Sequence, residues 1–84
     1  MHYVYVLQSV TDAGDFYVGF SSDLRRRFEE RNSGRNVSTR HSRWRLVYYE
    51  AYVLERAARK REASIKNDGR VRRFLMDRVK RGLE

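Results

Sequence analysis

Apolar and polar positions fall along this chain in two different periods. Tyr3 to Gln8 reads Tyr-Val-Tyr-Val-Leu-Gln, β-branched and aromatic without a break, which suits a buried strand. Thr11-Asp12-Ala13-Gly14-Asp15 is turn chemistry, and Phe16-Tyr17-Val18-Gly19-Phe20 predicts a second strand returning antiparallel. The period then lengthens. Ser21 or Ser22 is placed to cap a helix whose first turn holds Asp23, with Leu24 and Phe28 as its apolar stripe and Asn32-Ser33-Gly34 as its stop. Residues 34–43 are polar and read as a loop, and Trp44 through Tyr49 predicts a third strand. From about Val53 to Lys66, Leu54, Ala57, Ala58 and Ile65 recur at helical spacing. Asn67-Asp68-Gly69 breaks that helix. A last one follows with Val71, Phe74, Leu75 and Val79 on one face and Gly82 near its end. The order ββαβαα predicts an α+β fold, a small antiparallel sheet with helices packed on it.

Composition narrows the classes. No repeat or linker divides the 84 residues, so a single domain over 1–84 is expected. With no cysteine, disulfides and thiolate zinc sites are excluded. Apolar runs stop at five residues, far short of the ~20 that a membrane span requires, and no signal peptide opens the chain; a soluble, cytoplasmic domain is expected. Charge changes the picture more. Lys plus Arg number 19 against 11 acids, a formal charge of +8, and 16 of the cations are Arg. None lies in residues 1–19; all fall between Arg25 and Arg81. Guanidinium groups are planar, always charged and suited to bidentate contact with phosphate. Such a domain points to a polyanion partner, nucleic acid above all.

Four side chains stand out as candidates for chemistry. In a regular hairpin centred near Thr11, Tyr5 and Tyr17 would lie directly opposite on one face, with Gly19 two residues on. A glycine inside a strand often marks close approach of a ligand, while plain aromatic packing is the competing account. Arg27 lies at the edge of the first helix's apolar stripe, where its fork could meet a phosphate or its methylenes could simply pack. Glu62 flanks the second helix's stripe among cations. A carboxylate there suits Mg²⁺, which often takes one carboxylate plus waters and substrate phosphate; a salt bridge to Lys66 or Arg59 is the simpler account. His2, His41 and the Arg70-Val-Arg-Arg73 run read as solvated surface. No Walker loop, nucleophile elbow or dinucleotide fingerprint is present.

Taken in order, Tyr3-Val4-Tyr5, Tyr17-Val18-Gly19, Ser22-Asp23-Leu24-Arg25-Arg26-Arg27, Asn32-Ser33-Gly34, Leu46-Val47-Tyr48-Tyr49-Glu50 and Ala58-Arg59-Lys60-Arg61-Glu62 resemble the GIY-YIG nuclease family over nearly the whole chain. The resemblance implies a three-stranded antiparallel sheet flanked by helices, and hydrolysis of a DNA phosphodiester with one divalent metal ion, Mg²⁺ or Mn²⁺. It matches Tyr5 to the tyrosine of the first motif, Tyr17 and Gly19 to the second, Arg27 to the helix arginine and Glu62 to the metal-binding glutamate. The first motif departs as Tyr-Val-Tyr rather than Gly-Ile-Tyr. Arg31 stands where many relatives carry histidine, which bears on a second base or phosphate ligand there, and no appended DNA-binding domain is expected. The competing expectation is a basic, non-catalytic module on the same fold that binds DNA or structured RNA. A third is a subunit whose protein partner completes the site.

Overall fold

The computed structural model describes residues 1–32 and 43–84. Over these the chain forms β1 (His2–Ser9), β2 (Phe16–Ser21), α1 (Leu24–Asn32), β3 (Trp44–Tyr52), α2 (Glu55–Asn67) and α3 (Gly69–Gly82), the α+β order ββαβαα. Ser33, Gly34 and His41, with most of the expected loop, lie outside the described residues. Among the described residues no helix is long and apolar enough to cross a membrane.

The strands form one antiparallel sheet in the order β2-β1-β3. β1 is apolar and aromatic from Tyr3 to Leu7 because it is central and covered on both sides. Val4 and Val6, with Val18 of β2, face a core completed by Ala58 and Ile65 of α2 and Leu75 and Val79 of α3. Tyr5 and Leu7 face the other way, with Trp44 and Tyr17, toward Leu24 and Phe28 of α1. The result is three layers: α1, the sheet, and the α2–α3 pair.

An irregularity in β3 decides what reaches the α1 side. Val6 pairs with Tyr48 but Leu7 pairs with Leu46, so Val47 is an extra residue, a β-bulge. Strict alternation would put Trp44 and Leu46 on the same face as Tyr48. The bulge moves both to the α1 face, where Trp44 meets the Tyr17 ring edge-on at 6.4 Å between centroids.

Element ends correct the expectations in detail. Asp23, rather than either serine, caps α1: its Oδ1 accepts the Arg26 N–H at 3.2 Å. Ser21 is still in β2 and instead braces Asp23, accepting its N–H at 2.9 Å and donating to its carbonyl at 2.8 Å. At the far end of α1, the Asn32 amide accepts the Trp44 N–H and donates to the Trp44 carbonyl, both at 2.8 Å, so it joins helix to strand as another strand would. β3 runs three residues past Tyr49, because Glu50, Ala51 and Tyr52 pair with Val4, Tyr3 and His2. Asp68 caps α3, accepting from Arg70 N at 2.9 Å and Val71 N at 3.4 Å. Leu54 and Phe74, both expected in apolar stripes, are exposed. Val71, Leu75 and Val79 at four-residue spacing take the inward face of α3, which leaves Phe74 turned out.

Candidate active site

The site begins with strand register. Tyr5 pairs with Gly19, and Tyr17 pairs with Leu7, so the expected direct opposition of the two tyrosines is wrong by two residues. The turn closes one position later than Thr11: Asp15 N bonds the Asp12 carbonyl at 2.9 Å, Ser9 N bonds the Asp15 carbonyl at 2.9 Å, and Gln8 Nε2 holds the Ala13 carbonyl at 2.9 Å. A shift of two keeps side chains on the same face, where a shift of one would have lost it. Tyr5 and Tyr17 therefore sit diagonally, ring centroids 6.3 Å apart.

Gly19 makes that diagonal possible. A Cβ on it would lie 2.5 Å from Tyr5 Cζ and 2.9 Å from Tyr17 Cε1, inside any real van der Waals contact. The Tyr5 ring lies across the bare backbone of Gly19 and is only 1% exposed. Burial pushes its phenol above the usual 10.0, against the hydrogen bond and charge of Arg31 and the weaker pull of Arg27.

α1 presents Arg27 and Arg31, one turn apart, to these rings. Arg27 is half-buried. Arg31 is 6% exposed; it donates to the Tyr17 hydroxyl, and its guanidinium carbon lies 3.9 Å from the Tyr17 ring centroid. Arg31 entered the sequence reading only as a departure from a family pattern, yet it holds both tyrosines. Its spacing, four residues past Arg27 on the same flank, was the available signal.

Glu62 comes from the other layer. Its side chain is 21% exposed and pairs with Lys66 Nζ at 3.1 Å, while the same ammonium lies 5.8 Å from the Tyr17 ring centroid. The expected salt bridge to Lys66 thus exists, and the ammonium it uses is the one that stands near Tyr17. Arg59 pairs with Glu55 instead, at 3.3 Å, and stands over Phe20 at 4.3 Å.

The position of α2 is held by a cluster that the sequence reading did not single out. Glu50 accepts the hydroxyls of Tyr48 and Tyr52, each at 2.6 Å, and both arms of Arg61 at 2.9 and 3.0 Å. Burial pushes the Glu50 carboxyl up, but the bonds from Arg61, Tyr48 and Tyr52 together leave it below its usual 4.5. Burial and the bond to Glu50 push Tyr52 up to about 12. Arg61 is the neighbour of Glu62, so the clamp of Arg61 on β3 sets where Glu62 stands. Glu50 itself is saturated by four donors and faces the α2–α3 layer, away from the tyrosines. His2 bonds Ser22 Oγ at 2.7 Å and stacks near Phe20, apart from this cluster.

Among the described residues no three His, Cys, Asp or Glu side chains gather as a metal cage. Glu62 fits a divalent ion in one sense only, as a single anchor whose other ligands are water and phosphate oxygens. Its pairing with Lys66 is partly exposed, and such pairs contribute little, so an ion meets little resistance there.

Residues 1–74 match the family model described as the GIY-YIG catalytic domain. The chain is 31% identical over 85 residues to a UPF0213 protein of Streptococcus pneumoniae, covering 96% of this chain and 84% of that one. A UPF0213 protein of Haloquadratum walsbyi is 32% identical over 68 residues, covering 79% and 74%. One of Bacillus pumilus is 32% identical over 76 residues, covering 88% and 76%. No solved structure matches at comparable significance.

Proposed function

The chain belongs to the GIY-YIG nuclease family, and from that premise we propose that it is a divalent-metal-dependent endonuclease that hydrolyses DNA phosphodiester bonds in the cytoplasm. The observation that supports the reading is the cluster around Tyr17: the Tyr5 ring 6.3 Å away, Arg31 over the Tyr17 ring, Arg27 close enough to act on Tyr5, and Lys66, the ion-pair partner of Glu62, 5.8 Å from the Tyr17 ring, in a chain with a charge of +8.

Phosphodiester hydrolysis builds charge on the non-bridging oxygens and on the leaving alkoxide. Arg27 is the group to offset charge at the phosphoryl oxygens. Glu62 would hold the ion as its protein anchor; when bound, the ion supplies Lewis-acid polarisation of the phosphate and charge relief at the leaving oxygen. Tyr5, buried and raised above 10.0, stays a neutral phenol at neutral pH and serves as a donor and spacer rather than a base. The half-buried Tyr17 receives a hydrogen bond from Arg31, which leaves its own proton to orient water or a phosphate oxygen. Arg31, a donor with no acceptor atom, holds the two rings.

The test is incubation of purified protein with branched, flapped, nicked and plain DNA duplexes in Mg²⁺ or Mn²⁺, with and without chelator. Cleavage that chelation abolishes is expected. Cleavage that survives chelation contradicts the metal role. Binding with a steep salt dependence but no turnover on any substrate would favour the non-catalytic module.

A further inference from the structure

On the side of the sheet away from α1, the elements β3, α2 and α3 bound a groove of about 850 Å³. Its lining is mixed: Tyr48 and the buried Leu75 on the inner side, with Phe74, Arg78 and Arg81 contributed by the exposed part of α3. Phe74 is 65% exposed, so its ring adds almost nothing to the core. Arg78 and Arg81 follow it by four and seven residues and share its side of the helix. α3 carries six cations, Arg70, Arg72, Arg73, Arg78, Lys80 and Arg81, against one acid, Asp77, which also lines the groove and leaves a net positive charge on this helix. Arg61 also lines the groove, but its charge is taken by Glu50 at 2.9 Å. Among the described residues neither Arg78 nor Arg81 is in an ion pair.

We propose that this groove is a docking surface for an unpaired nucleic-acid strand, with a base stacked on Phe74 and flanking phosphates on Arg78 and Arg81. A cationic helix with a bare aromatic ring is the pairing of features that single-strand binding uses, because every base offers a π face and every linkage a negative charge. In a duplex the base faces are already stacked and cannot reach the ring. Charge excludes a second copy as the better occupant, since two α3 faces of the same sign would repel. The groove and the tyrosine cluster lie on opposite faces of the sheet, so binding here goes beyond the proposed hydrolysis and does not require it. Its consequence for that activity is a preference for substrates with a single-stranded arm.

The experiment is fluorescence anisotropy in chelator, so that binding is read with or without any nuclease activity. Short labelled single-stranded DNA and RNA are compared with a blunt DNA duplex. Phe74→Ala is expected to weaken single-strand binding roughly tenfold, or about 1.4 kcal/mol, as the loss of one stacked base would. It should leave duplex binding within about twofold, and Phe74→Trp should restore the single-strand affinity. The Arg78→Gln/Arg81→Gln double variant should make the single-strand salt slope shallower by about 1.4, roughly 0.7 per phosphate released. Unchanged single-strand affinity in Phe74→Ala, or an equal loss on duplex, overturns the proposal. So does a change in the sedimentation of the free protein, which would identify the groove as a contact between copies. Were Phe74→Ala not to fold, the salt slope of the arginine double variant decides alone: a slope equal to wild type overturns the proposal.

Discussion

At Gly19 the backbone of β2 runs against the buried ring of Tyr5, and a single methyl group there would stand 2.5 Å from Tyr5 Cζ and 2.9 Å from Tyr17 Cε1. Neither ring has an easy retreat, since Tyr5 is enclosed on its own face and Tyr17 is held by Arg31. Gly19→Ala is therefore expected to destabilise the fold by about 1–3 kcal/mol, as overpacking in a core does, and to lower cleavage with it. Thermal melting and a cleavage assay on the same preparation check this; an unshifted melting temperature would mean that the rings move freely. The hydroxyls are tested separately. Tyr5→Phe and Tyr17→Phe should both fold, and each should lower the catalytic rate by roughly 10²-fold if the phenol oxygen contacts the reacting groups. Single-turnover kinetics beside circular dichroism reads both, and folded variants with full rate would reduce the pair to core packing. The shared face of these residues was legible in the sequence, because period 2 places positions 5, 7, 17 and 19 together once the strands are recognised. Their register was not, because Thr11-Asp12-Ala13-Gly14-Asp15 offers more than one centre for the turn, and the bonds that choose between them join Gln8 and Ser9 to the turn backbone.

The elements carry two devices that tie the layers together. The Val47 bulge turns Trp44 toward α1, and the Glu50 cluster fastens α2 to β3 through Arg61. Neither was legible beforehand. A bulge inserts a residue without changing composition, and the partners of Glu50 come from α2 and from its own strand at two-residue spacing, a meeting that only the assembled sheet creates. Strand and helix order was legible, because β-branched and aromatic runs separated by turn residues differ plainly from apolar residues at four-residue spacing. The Glu50 cluster makes a pH prediction. Its carboxyl lies below 4.5 when folded, so its contribution is present above that value and is lost as pH falls through the lowered one. Tyr5, Tyr48 and Tyr52 lie above 10.0 when folded, Tyr52 at about 12. Their contribution is present below 10.0 and is lost as pH rises toward those values. Melting temperature against pH should thus be flat between these limits and fall on both sides. Glu50→Gln should lower stability by about 1–3 kcal/mol, through loss of charged hydrogen bonds, which brings the plateau to a lower temperature, and should remove its share of the acid limb. An acid limb unchanged in that variant would assign it to other carboxylates.

At the scale of the whole molecule, three layers set the tyrosines and α1 on one side of a thin sheet and a cationic helix on the other, while α2 reaches the β2 edge from below. Two roles meet at Glu62: the family resemblance suggests a metal anchor, and the geometry shows a carboxylate paired with Lys66. The two make opposite demands on one substitution. Glu62→Gln keeps shape and helix propensity and raises the formal charge from +8 to +9. Phosphate attraction by itself then predicts DNA binding that is equal or slightly tighter. The measurement is DNA affinity and Mg²⁺-dependent cleavage on the same Glu62→Gln protein. Retained binding with cleavage lost is the predicted result; near-wild-type cleavage would contradict the account and leave Glu62 as no more than the partner of Lys66.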